Sequence, residues 1–121
     1  MDLLTDTPVR VTRVGYRVPN CPYQSIVDLY HEVLPMLPGV VILNTSRRGY
    51  ISGRWREVCA AEKWGETEGL AFFKTYFEMV AKSRFLTGRC EARGDRRVFK
   101  ADLEWLMRPN NFAKALEGRY S

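Results

Sequence analysis

Leu70-Ala71-Phe72-Phe73-Lys74-Thr75-Tyr76-Phe77-Glu78-Met79-Val80-Ala81 is the stretch that decides how this chain folds. Leu70, Phe73, Phe77 and Val80, with Ala81 beside them, recur at the three- and four-residue intervals that line up on one side of an α-helix. Phe72, Tyr76 and Met79 widen that stripe around much of the circumference. A helix apolar over so much of its surface needs neighbours on more than one side. It is therefore expected to be the central core element, capped near Thr67 and ending near Lys82.

Towards the N-terminus, Trp64-Gly65 marks a turn, and Asn44 is a suitable N-cap for a helix from Thr45 to Ala61. Ile51, Trp55, Val58 and Glu62 share one face of it. Gly49 and Gly53 either weaken its first turns, since glycine costs about 1 kcal/mol against alanine there, or permit a close backbone approach. Val40 to Leu43 reads as one short extended connection with no second strand to pair with. Tyr23 to Leu34 forms a first helix, with Ile26, Leu29, Tyr30 and Val33 as its apolar face and Pro35 and Pro38-Gly39 as its stop. Residues 1–20 read as a flexible N-terminal segment, in which Val9, Val11 and Val14 suggest an extended arm and Pro19-Asn20-Cys21-Pro22 starts a breaker.

Towards the C-terminus, Phe85-Leu86-Thr87-Gly88 is an apolar turn into a charged loop, Arg89 to Arg97. A short helix is expected over about Ala101 to Met107, broken by Arg108-Pro109-Asn110. Asn110 or Asn111 then caps a last helix that stops at Gly118. Phe85, Phe99, Trp105 and Phe112 read as core and helix-docking residues and not as base-stacking platforms. The expected architecture is all-α: a small single domain of four to five helices over residues 21–121, with at most one short extended segment.

The chain has 121 residues, 45% of them hydrophobic and 27% charged, which fits one folded domain and argues against disorder. Three cysteines, Cys21, Cys59 and Cys90, are too few and too widely spaced for a disulfide framework, as in a reducing compartment. Neither a signal peptide nor a membrane span is apparent, so a cytoplasmic protein without membrane contacts is expected.

Catalytic patterns are missing. His31-Glu32-Val33-Leu34-Pro35 begins like a metalloprotease helix, but Pro35 stands where the second histidine belongs, and the chain has one histidine. The cysteines lack the paired spacing of zinc sites. Cys59, beside Val58 and Ala60, reads as a small buried hydrophobe, and His31 as a boundary or partner-contact residue. No phosphate loop or dinucleotide fingerprint occurs. The expectation is a non-enzyme with neither metal nor cofactor.

The net charge is +5 and unevenly spread. Residues 44–63 and 82–100 together hold twelve basic against four acidic residues. Arg47, Arg48, Arg54 and Arg56 recur along one helix; Arg84, Arg89, Arg93, Arg96 and Arg97 surround a loop. Such clusters are either a solvated surface or a footprint for phosphates or an acidic partner, since guanidinium groups pair bidentately with both. Tyr50 and Trp64 are candidate stacking residues beside them, whereas Trp55 and Trp105 read as core. The helix after Gly65 carries three acids and one lysine, which suits a major groove poorly and argues against helix-turn-helix readout.

Several segments then resemble a known family. They are Val18-Pro19-Asn20-Cys21-Pro22-Tyr23-Gln24-Ser25-Ile26-Val27-Asp28-Leu29-Tyr30-His31-Glu32-Val33-Leu34-Pro35, Arg54-Trp55-Arg56-Glu57, Phe72-Phe73-Lys74-Thr75-Tyr76-Phe77, Phe85-Leu86-Thr87-Gly88-Arg89, and the block from Ala101-Asp102-Leu103-Glu104-Trp105-Leu106 to Leu116-Glu117-Gly118-Arg119-Tyr120. In order and spacing they resemble the C-terminal domain of phage and prophage DNA replication proteins of the replisome-organiser type. The resemblance implies a helical accessory module in a bacterial host cell, contacting single-stranded DNA or a helicase or helicase loader. It supplies no catalytic residues. Only about 20 residues precede the match, so origin recognition by an upstream winged helix is not carried over. The alternative is a small phage-encoded inhibitor of a host nucleic-acid-processing or defence complex, in the manner of an anti-CRISPR protein.

Overall fold

The computed structural model describes residues 15–90 and 98–121, which form five helices and no strand. They are α1 (Tyr23–Val33), α2 (Thr45–Glu62), α3 (Glu66–Ala81), α4 (Leu103–Met107) and α5 (Pro109–Leu116). The all-α expectation holds, and Val40 to Leu43 is an unpaired connection. The arm through Val9, Val11 and Val14, and the loop arginines Arg93, Arg96 and Arg97, lie outside the described residues.

α3 is the hub, as its sequence requires. Phe73, fully buried, packs against Trp55 of α2 at 6.1 Å between ring centroids and against Phe112 of α5 at 6.0 Å. Tyr30 of α1 meets Phe77 edge-on at 5.7 Å. The Tyr76 hydroxyl donates to the Leu106 carbonyl of α4 at 2.8 Å, satisfying a polar group that burial would otherwise penalise. All four other helices thus touch α3. Each of these buried rings contributes about 1.5–3 kcal/mol by leaving water.

Local chemistry sets most of the boundaries. Asn44 accepts the Arg47 N–H at 2.9 Å and caps α2, and Lys63 ends it in the left-handed conformation at φ 56°. Asp102 caps α4 by accepting the Trp105 N–H at 2.8 Å. Two caps differ from expectation. α3 is capped two residues earlier, at Gly65, and starts at Glu66, because the Glu68 carboxylate reaches back to the Gly65 N–H at 3.1 Å; Thr67 is inside the helix. α5 starts at Pro109, whose fixed φ suits a first helical residue, so neither Asn110 nor Asn111 is its cap. Asn111 instead donates to the Trp105 carbonyl at 3.0 Å and fastens α5 to α4.

Of the segment expected to be flexible, residues 15–20 lie against α2. The Tyr16 hydroxyl donates to the carbonyls of Cys59 and Trp64, both at 2.9 Å, and Trp55 Nε1 donates to the Pro19 carbonyl at 2.8 Å. His31 is a loop clamp: its Nε2 accepts the Val40 N–H at 2.9 Å. At the other end Ser83, buried behind α3, donates through Oγ to the Tyr120 carbonyl and accepts the Leu86 N–H at 3.1 Å. That serine ties the C-terminus to the end of the hub helix.

Candidate nucleic-acid interface

The four arginines of α2 separate into different environments. Arg54 falls on the same face as Ile51 and Trp55 and is buried. Its Nε and Nη2 pair with both oxygens of Glu57 at 3.0 Å, and Nη1 donates to the Met107 carbonyl at 2.8 Å. All three nitrogens of that guanidinium are engaged, two within α2 by Glu57 and one by the Met107 carbonyl of α4, so Arg54 is a structural fastener between helices. Arg47 donates to the Ile42 carbonyl at 2.7 Å and stands 3.7 Å from Glu104. Arg48 donates to the Leu43 carbonyl at 3.2 Å and covers the Tyr23 ring at 5.6 Å. Both hold the connection before α2 while keeping contact with solvent. Arg56 is exposed at the edge of a shallow cavity of about 550 Å³ that Val18, Pro19, Cys21 and Tyr23 also line.

This split yields a stability prediction. Arg54→Met keeps the apolar stem but leaves the Met107 carbonyl without its donor, and should cost about 1–2 kcal/mol. Arg56→Met, two residues on, should stay within about 0.5 kcal/mol of the parent. Urea denaturation of both variants checks the contrast, and equal midpoints would contradict the burial of Arg54.

A second cationic group surrounds the end of α3. Arg89 donates from Nε to the Thr87 hydroxyl at 2.8 Å and from Nη2 to the Ala81 carbonyl at 2.9 Å, placing its charge at the negative end of the helix dipole. Arg84 reaches the Arg89 carbonyl at 3.4 Å. Among the described residues, Arg48, Arg56, Arg84 and Arg89 have no carboxylate within ion-pair distance, whereas Arg47, Arg54, Arg108 and Arg119 do.

The two candidate stacking residues are engaged inside the molecule. The Tyr50 ring lies under the Arg108 guanidinium at 5.6 Å. Trp64 is half-buried and tilted against Phe72 at 5.7 Å. Sequence reasoning missed Glu104, which bridges Arg108 at 2.9 Å and Arg47 at 3.7 Å and so draws two cations into a structural network. The four-residue spacing of Glu104 and Arg108 on one helical line was the available signal.

Burial pushes the Cys21 thiol up to about 12, helped by its nearness to Cys59, and raises Cys59 as well. Both are therefore held as thiols, the reverse of what a nucleophilic cysteine needs. No cluster of three potential metal ligands occurs among the described residues. No helix among them is long and apolar enough to cross a membrane. No family model, curated protein or solved structure matches the chain.

Proposed function

We propose that this chain is a non-enzymatic binding module that engages single-stranded DNA through its arginine surfaces and serves phage-type replication as an accessory domain, in contact with a helicase or its loader. One observation carries the reading: Arg48, Arg56, Arg84 and Arg89 keep their charge at the surface with no ion-pair partner among the described residues. Guanidinium groups held in place by backbone carbonyls, as Arg48 and Arg89 are, lose little further freedom when they meet a phosphate.

The test is anisotropy with labelled single-stranded and duplex oligonucleotides over a series of salt concentrations. Phosphate contacts must show counterion release, so affinity should fall steeply with salt. Arg48→Glu with Arg56→Glu should weaken single-strand binding about tenfold and flatten the log–log salt slope by about 1.4, at roughly 0.7 per lost contact. The helical circular dichroism signal should not change. Absence of binding at low ionic strength would refute the reading.

A different surface favours the second reading, inhibition of a host nucleic-acid-processing or defence complex. A groove of about 350 Å³ between α1 and α3 is lined by Leu29, Leu70 and Ala71 and carries Asp28 and Glu32 on α1 against one cation, Lys74, on α3. An acid-edged groove complements a basic, DNA-binding protein surface. Affinity capture from host lysate separates the two: a stable host complex together with no affinity for free DNA supports inhibition.

A further inference from the structure

Phe85, Phe99, Trp105 and Tyr120 come from four separate stretches of chain and meet in one aromatic cluster. Phe85 stacks on Phe99 at 4.9 Å with 19° between planes and on Tyr120 at 5.8 Å with 16°. Trp105 closes the group at 5.1 Å from Phe99 and 5.2 Å from Tyr120. Phe99 and Trp105 pack against the core as the docking residues that the sequence suggested, whereas Phe85 is not enclosed with them. Of the expected core aromatics in the last third, only Phe112 is buried. Phe85 is 38% exposed, the neighbouring Val98 is 40% exposed, and Phe99, Trp105 and Tyr120 are half-buried. Periodicity could not reveal this, because the cluster forms between segments and not along one helix.

The cluster is set among cations. Arg84 precedes Phe85, Lys100 follows Phe99 and Arg119 precedes Tyr120. Gly88, at φ +76°, sits so close to the Lys100 stem that a Cβ there would be 2.7 Å from Lys100 Cγ, so the Phe85 turn and Lys100 adjoin. Arg89 is anchored beside them through Thr87 and Ala81. Among the described residues, the carboxylates nearby in sequence are engaged: Asp102 caps α4, Glu104 pairs with Arg108, and Glu117 stands 3.5 Å from Arg119. The exposed part of Phe85, with Arg84 and Arg89 on the same turn and Lys100 beside it, matches unpaired bases on a phosphate backbone, whereas a duplex hides its base faces.

We infer that the Phe85–Phe99–Trp105–Tyr120 cluster is a stacking platform for the bases of single-stranded DNA whose phosphates run along Arg84, Arg89 and Lys100. The inference rests on the DNA-binding reading above and assigns it a base-dependent component. The experiment compares a labelled oligo-dT with an abasic deoxyribose-phosphate oligomer of equal length, against the parent chain and Phe85→Ala. The parent should bind oligo-dT at least about fivefold more tightly than the abasic strand, and Phe85→Ala should lose about five- to a hundredfold on oligo-dT alone, with an unchanged salt slope. Circular dichroism verifies folding, and Phe85→Leu, which keeps apolar volume without a π face, reads the same effect if the alanine variant is unstable. Equal parental affinity for both strands would overturn the platform and leave the arginine reading standing. Absence of binding to either strand would overturn both.

Discussion

Trp55→Ala should lower stability by about 3–5 kcal/mol, the range for removing a fully buried large aromatic. The indole is inaccessible to solvent, lies nearly parallel to Phe73 at 6.1 Å and 21°, and donates through Nε1 to the Pro19 carbonyl. Truncation opens a cavity between α2 and α3 and leaves a carbonyl of the N-terminal strap without its donor. A domain of this size has about 5–15 kcal/mol in total, so the variant loses about a fifth or more of its reserve. The melting temperature should fall by at least about 10 °C. Trp55→Phe preserves much of the packing but loses the hydrogen bond and part of the buried ring, for about 1–3 kcal/mol. Thermal and urea denaturation followed by circular dichroism measure both. A loss below 1 kcal/mol for the alanine variant would contradict the placement of Trp55 at the α2–α3 contact.

The difference between what the sequence disclosed and what it hid has a physical basis. The stripe of Phe73, Phe77 and Val80 was legible because burial along one helix repeats with the helix. The Asn44 cap and the stops at Pro35 and Gly118 were legible because they act within a few residues. Contacts between distant segments carry no such period. Arg54 looked like its neighbours Arg47, Arg48 and Arg56, yet its partner is a carbonyl 53 positions away, at Met107. The aromatic cluster joins positions from 85 to 120, and each ring alone looks like a core residue. The arginines identified from charge clustering were visible as a group, but which of them stay available depends on Glu57 and Glu104, whose reach only the fold discloses.

Glycine shows the same limit most sharply, and Gly69→Ala should destabilise by about 3 kcal/mol, at the upper end of overpacking costs. Sequence spacing drew attention to Gly49 and Gly53, where an added Cβ would meet nothing within 4 Å. The close approach is at Gly69 on α3. A Cβ there would stand 2.6 Å from Trp55 Cη2, 2.7 Å from Cζ3 and 2.9 Å from the Cys59 Sγ. All three belong to fully buried side chains of α2, so none can swing into solvent. In an open helix position the same substitution gains about 0.5–1 kcal/mol by restricting the unfolded chain, and Gly53→Ala should show that gain. One substitution type is therefore expected to act with opposite signs on adjacent helices. A double-mutant cycle isolates the cause: in a Trp55→Leu background the space opens, and Gly69→Ala should recover 1 kcal/mol or more, a coupling of about the size seen between residues in direct contact. If Gly69→Ala stabilised the parent as Gly53→Ala does, α2 and α3 could not lie as close as the Trp55–Gly69 contact requires.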